Sequence, residues 1–538
     1  MKLREKTGCG EGGDKILALA NGVVRITGGI IFLFLTWYAF RYTQYMTPGG
    51  AELPVEVRDS MKGNILALVV LTGLFLGLLK LEEHVAPRIQ WQAMQVTLLV
   101  TMLWIGAVGM WWILSAERVP GGDQAFIYGG ASYFLEGDYL FLEEGGYCCM
   151  YPHQLGLIAL TELLFLIAGP MNYRAFQAIC VLLTMGIVYL GYRIVKELTV
   201  HTAVVLVYCV MMMGCLPMVF YTGWVYGDIP SIFFALLTQV MLLQYGKSRK
   251  KGYLAGVVLS VLMGLLVRKN SAILLIALCL VIGVSVIQQM DNKLILTAIL
   301  AIVLPVLAYQ GIYKMYELRS GHDMYDAIPT LSWVVMGLQE NNGKYGWYND
   351  YSKLVFYGND CNADYATAVI RMDLKERIHE LKADLSYSRQ FFKEKILSQW
   401  NEPLYQSLYF TSDYEQMQKL TDPDAFATKL GREYLPYVIR ICDRLQFLVY
   451  LGTACYFLFA VKKDSNILQH LLAVAGIGGF LFSIIWEAKA RYILPYYVSM
   501  FPCAVIGYEQ LLYRVMALFE RVRAQKQTEY GEEIGKAA

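Results

Sequence analysis

Asp123 in "PGGDQ", Asp228 in "VYGDIP", Arg268 and Lys269 in "LLVRKNSAILL" and Arg491 in "EAKARYILPYY" all stand at the ends of apolar runs. Carboxylates and cations converging at such ends suit one reaction, the displacement of a lipid phosphate from a sugar by a hydroxyl. One carboxylate takes the acceptor's proton as general base. The cations hold the phosphate and stabilise the charge that develops on it as it leaves. Asp123 is the expected base, and Gly121 and Gly122 before it leave backbone room for a ligand. Asp228 is the expected second acid or acceptor contact, and Arg268, Lys269 and Arg491 the expected phosphate contacts. Gln124, Tyr151 and His153 are further candidates.

Each of these residues also has a plainer reading. Asp123 suits a turn or a helix cap, and Asp228, just ahead of Ile229 and Pro230, has the position of an N-cap. Arg268 and Lys269 suit interfacial anchors whose heads reach toward lipid headgroups. Arg491 suits an anchor paired with Glu487, four residues earlier on a helix. Glu136, Asp138, Glu143 and Glu144 read as a solvated face, and Tyr133, Tyr139, Tyr147 and Tyr151 as an interfacial aromatic belt. His153, His322 and His379 lack ligand spacing, which argues against zinc. No metal ligand set is expected, although a divalent ion is compatible with the chemistry.

The elements that must position these residues are membrane helices. The 538 residues are 57% hydrophobic and 17% charged, where soluble domains carry about 25% charge. A formal net charge of +2 speaks against a nucleic-acid partner. The eleven cysteines are scattered without paired spacing. Among them Cys148, Cys149 and Cys361 fall in polar segments where a disulfide is permitted. No cleavable signal peptide is evident, because the first apolar run starts near Gly22 and is followed by Arg41.

Apolar runs at 22–40, 63–79, 93–115, 174–194, 202–220, 229–245, 252–267, 271–288, 293–312, 435–460, 466–486 and 491–513 predict about twelve spans (roughly 11–14). That number puts Lys2, Arg4, Lys6 and Lys15, the "GKSRKKG" cluster, Lys462, Lys463, Arg521, Arg523 and Lys526 on one side, read as cytoplasmic together with both termini. The run 155–169 is short and carries Glu162, so it reads as a re-entrant or surface-lying helix. The expected organisation is an amino-terminal tail with an added pair of spans (1–92), a core of spans (93–312) with an outer loop (116–153), an extracytoplasmic segment (313–432) and carboxy-terminal spans (433–538). Juxtamembrane helices are expected in the outer loop. The long segment should be mainly helical, on the amphipathic pattern of "ADYATAVIRMDLKERIHELKADL".

The order of "GGDQ", "EGDYLF", "MYPHQLG", "YGDIP", "LLVRKNSAILL" and "ARYILPYY" resembles the GT-C superfamily of polytopic glycosyltransferases, in its protein-mannosyltransferase and aminoarabinose-transferase branch. "IPTLSWVVMGLQENNGKYGWYNDYS" and "FFKEKILSQWNEP" further resemble Gram-positive bacterial members of that branch. The resemblance starts near residue 93. It implies that Asp123 is the catalytic base, Asp228 a second outer-loop acid that orients acceptor or metal, and Arg268 and Arg491 the donor-phosphate side. Many relatives carry two adjacent acids where this chain has Asp123 and Gln124, which weakens a metal ligand beside the base. His153 stands where some relatives place a basic residue.

These features imply an all-α polytopic glycosyltransferase in a bacterial cell membrane with its site on the outer face. The donor would be a polyprenyl-phosphate-linked sugar and the acceptor a hydroxyl of an envelope glycan, lipid or protein, with inversion at the anomeric carbon. A flippase of lipid-linked saccharides is the rival from another class, but it should show paired broken helices and repeat symmetry, and neither is evident. An envelope-glycan polymerase or ligase should carry arginines in a large outer loop. Arg319, Arg371, Arg377 and Arg389 keep that reading open.

Overall fold

The computed structural model describes residues 11–46, 52–116, 119–289, 291–412 and 426–537, with backbone alone at 11, 411–412 and 524–537. Lys2, Arg4, Lys6 and the side chain of Lys526, expected on the cytoplasmic face, lie outside the described residues.

A chain crossing hydrocarbon must satisfy its own backbone polar groups, and helices do so within one segment. Each apolar run of the sequence is accordingly helical. Among the described residues, eight helices are long and apolar enough to span: Gly12–Arg41, Met61–Glu82, Pro87–Ser115, Tyr173–Leu198, Asp228–Ser248, Lys269–Gln289, Asn292–Ser320 and Ile467–Ile485. Two bent pairs raise the number to as many as 10. The chain is an all-α, multi-pass membrane protein.

The difference from twelve has local causes. Lys251–Val267 is only 17 residues long, and Leu435–Cys455 carries Arg440, Asp443 and Arg444. Leu494–Ala537 starts inside the core, is buried as far as Leu512, and is exposed from Arg514 to Arg523. The run 202–220 is bent by 52° between Thr202–Met213 and Leu216–Gly223.

The short run 155–169 forms Leu155–Ala168, and with Pro152–Gln154 it turns 99° from Leu140–Met150. Its buried Glu162 is held by both Arg319 Nη1 (3.0 Å) and Nη2 (3.1 Å) and by the Tyr316 hydroxyl (2.9 Å). That arginine comes from the far end of Asn292–Ser320, a helix that continues past the expected end at 312.

Beyond it lie Leu331–Leu338, Tyr351–Tyr357, Ala363–Ala383 and Leu385–Trp400. Asn362 and Asp384 start the last two by accepting from the backbone N–H groups two and three residues on. Two small antiparallel strand pairs, Tyr42–Met46 with Pro54–Arg58 and Glu340–Asn341 with Lys344–Tyr345, were not foreseen. This layer beyond the spans is tied to the span that ends at Ile485. Trp400 Nε1 donates to Ser483 Oγ (2.9 Å), Lys395 Nζ to the Ile484 carbonyl (2.9 Å), and the Ala488 N–H to the Gly346 carbonyl (2.7 Å). Cys148 and Cys149 are buried free thiols, and Cys361 is a half-buried one.

Candidate active site

Asp123 is the first residue of the helix Asp123–Glu136 and follows Gly122, whose φ of 59° favours glycine. Its side chain is 48% exposed. Gln124 is buried and points the other way, accepting from the Val225 N–H (2.7 Å). This bond fixes the start of Asp123's helix to the turn preceding Asp228.

The same turn sets the second acid. A Cβ on Gly227 would overlap the carbonyl oxygen of Val267, so only glycine allows this turn to lie against the residue preceding Arg268. Asp228 is 1% exposed and ion-paired with Arg268, itself 7% exposed. Asp228 is the first helical residue, with Gly227 as N-cap, and among the described residues neither of its carboxylate oxygens has a hydrogen-bond partner. The pair thus takes the carboxylate away from a capping role.

Arg491 lies in the turn Ala490–Tyr492. Its Nη2 is 4.0 Å from Asp123 Oδ2. The guanidinium carbon sits 5.2 Å from the Trp224 ring centre, 5.0 Å from Tyr226, 5.4 Å from Phe410 and 5.6 Å from Tyr492. Aromatic faces compensate a buried guanidinium while leaving its N–H groups free to turn toward an anion. The anticipated Glu487–Arg491 helical pair does not form, because the chain between them is not α-helical. Glu487 instead accepts from the Tyr492 hydroxyl (3.0 Å). Burial pushes the Glu487 carboxyl above the ordinary carboxylate range, with Lys489 acting in the opposite sense.

Asp123, Lys269 and Arg491 line one cavity of about 760 Å³, together with Tyr151 and His153. Asp228 and Arg268 are not in its wall. Arg268 lines a smaller adjoining cavity of about 40 Å³, and Asn270 and Tyr492 belong to both walls. The His153 backbone carbonyl accepts from the Tyr309 hydroxyl (3.3 Å). Gln124 acts on the site only through the turn it holds. Among the described residues no three His, Cys, Asp or Glu side chains gather in a metal-holding group.

Several lining residues escaped the sequence reading. Lys489 is paired with both carboxylate oxygens of Glu52 (3.0 Å each), and Glu52 had no signal at all. The Arg491 cage had a partial one in the aromatics of "YTGWVYGD". Lys344, Tyr348 and Lys353 also line the cavity, from "GKYGWYNDYSK".

No protein-family model matches the chain, and no curated protein matches it. Among solved structures, the archaeal oligosaccharyltransferase AglB from Archaeoglobus fulgidus, in complex with an inhibitory peptide and a dolichol-phosphate, is similar over 79% of this chain and 52% of its own. The identity is 11% and the TM-score 0.39, and the matched region is about half of that chain's length.

Proposed function

We propose that the protein is a GT-C-type membrane glycosyltransferase that moves a sugar from a polyprenyl-phosphate donor to a hydroxyl of an envelope glycan, lipid or protein. We place it in a bacterial cell membrane with the cavity on the outer face. The observation that carries this reading is Asp123, half-exposed in the large cavity, facing Arg491 at 4.0 Å with Lys269 in the same wall. A carboxylate open to an acceptor next to cations open to a phosphate is the arrangement that an inverting displacement requires.

In the proposed step the acceptor oxygen attacks the anomeric carbon while its proton passes to Asp123. The bond from that carbon to the phosphate oxygen breaks, and its electron pair stays on the phosphate. Arg491 and Lys269 stabilise the charge developing there. Asp228 acts through Arg268, holding the buried start of the turn that presents Lys269 and Asn270. The order of sequence motifs supports the same assignment.

The test supplies purified protein with polyprenyl-phosphate sugars and measures release of free polyprenyl phosphate. Asp123→Asn should lower the rate by about 10²–10⁴-fold, the usual contribution of a positioned base. Equal rates in wild type and variant would remove Asp123 as base, and translocation of the lipid-linked sugar without release would replace the transferase with a transporter.

A further inference from the structure

The cavity wall carries two separate sets of cations. Lys269 and Arg491 belong to turns at the ends of membrane helices. Lys344 and Lys353 come from the layer beyond the spans, one on the strand Lys344–Tyr345 and the other in the helix Tyr351–Tyr357. Each acid of the same wall faces a group other than these two lysines. Glu52 pairs with Lys489, Asp123 faces Arg491, Glu487 accepts from Tyr492, and Asp350 accepts from the Tyr348 hydroxyl at 2.5 Å. Among the described residues, neither Lys344 nor Lys353 has a carboxylate within ion-pair distance.

The wall that these two lysines share also carries groups that suit a sugar. The Lys353 ammonium lies 6.0 Å from the centre of the Tyr348 ring, and that of Lys489 lies 5.4 Å from it. Trp333 and Trp486, also in the wall, are parallel within 3° at 6.1 Å. Asn341 and Asn349 add amide groups. Flat aromatic faces with amides between them bind pyranose rings, and unpaired ammonium groups beside them select rings that carry negative charge.

We propose that the outer lobe of the cavity, formed by Lys344, Lys353, Tyr348, Trp333 and Trp486, is a binding subsite for an anionic saccharide acceptor, one bearing phosphate or carboxylate groups. The proposal rests on the transferase reading for the word acceptor. A two-substrate site whose membrane side already holds the donor's phosphate has no use for a second cation set unless the second substrate is also anionic.

Binding is measured without donor, so the result stands apart from whether transfer occurs. The protein is placed in nanodiscs of zwitterionic lipid and titrated with maltotriose, with maltotriose bearing one terminal phosphate, and with maltotriose ending in glucuronate. The charged probes should bind at least about tenfold more tightly than maltotriose, with a preference that shrinks as salt rises. Lys344→Gln with Lys353→Gln should abolish the preference, while an unchanged thermal unfolding midpoint shows that the fold is retained. Equal affinity for charged and neutral probes overturns the proposal, as does a preference that survives in the double variant. Loss of probe binding in nanodiscs of anionic lipid, where headgroups would occupy the lysines, also overturns it. Absence of polyprenyl-phosphate release in the donor assay would strike the transferase reading alone.

Discussion

At the scale of single residues, the two acids of the proposed site are distinguished by environment. Asp123 is 48% exposed on the cavity, and Asp228 is buried against Arg268. Only the first can meet an acceptor hydroxyl without dismantling an ion pair. Arg491 shows why the residue type matters as well as the charge. Four aromatic rings surround its guanidinium, and a planar delocalised cation stacks flat on such faces and is more weakly hydrated than a compact ammonium. Arg491→Lys should therefore reduce kcat/KM for a polyprenyl-phosphate sugar by about tenfold or more, since a desolvated cation–π contact is worth about 2 kcal/mol. Wild-type kcat/KM in that variant would show that charge alone suffices. The candidates at the ends of spans were legible because charge there is costly and stands out. Glu52 was not legible, because an isolated glutamate in a polar stretch looks like any solvated residue until the fold brings Lys489 to it.

At the scale of elements, apolar runs made the helices legible, and tertiary pairing decided what the ambiguous ones do. Leu155–Ala168 is short for a span and exposes Leu163, Leu166 and Ile167, so its hydrophobicity does not fix its place. Arg319 does, by reaching Glu162 from the end of Asn292–Ser320. No local pattern announced a partner 157 positions away. Removing the arginine leaves an uncompensated carboxylate whose side chain is 7% exposed, a change that costs about 3 kcal/mol or more. Arg319→Ala should lower the thermal unfolding midpoint in detergent, and adding Glu162→Ala should recover part of the loss, because the double variant buries no lone charge. An unaltered midpoint in Arg319→Ala, or no recovery in the double variant, would show that the pair does not anchor this helix.

At the scale of the whole molecule, the cavity is an interface between layers. Around it the amino-terminal strand pair is joined to the end of Leu385–Trp400 by the Gln44 N–H to the Asn401 carbonyl (2.9 Å), and the segment after Lys344–Tyr345 to the turn 486–491 by the Gly346–Ala488 bond (2.7 Å). Such contacts join residues more than a hundred positions apart, so the sequence could suggest a single outward cavity from motif order but not the segments that close it. Glu402 lies at this junction, 1% exposed, accepting from the backbone N–H of Leu404 (3.2 Å) and of Gln406 (2.6 Å). Gln406 in turn accepts from the Arg491 N–H (3.2 Å) and has a left-handed φ of 60°. Burial raises the Glu402 carboxyl to about 8, against the opposing pull of those two backbone donors. Unfolding restores an ordinary value of 4.5. Between those two values the folded protein binds the proton that the unfolded chain has lost, so rising pH favours unfolding across that window. The Glu402 contribution should therefore appear as a thermal unfolding midpoint of wild type that falls from pH 5 toward pH 8 relative to that of Glu402→Gln. Glu402→Gln, which cannot ionise and keeps one of the two oxygens that accept from Leu404 and Gln406, should flatten that decline. A decline equally steep in the variant would assign the pH dependence to other groups and leave Glu402 ionised in the fold.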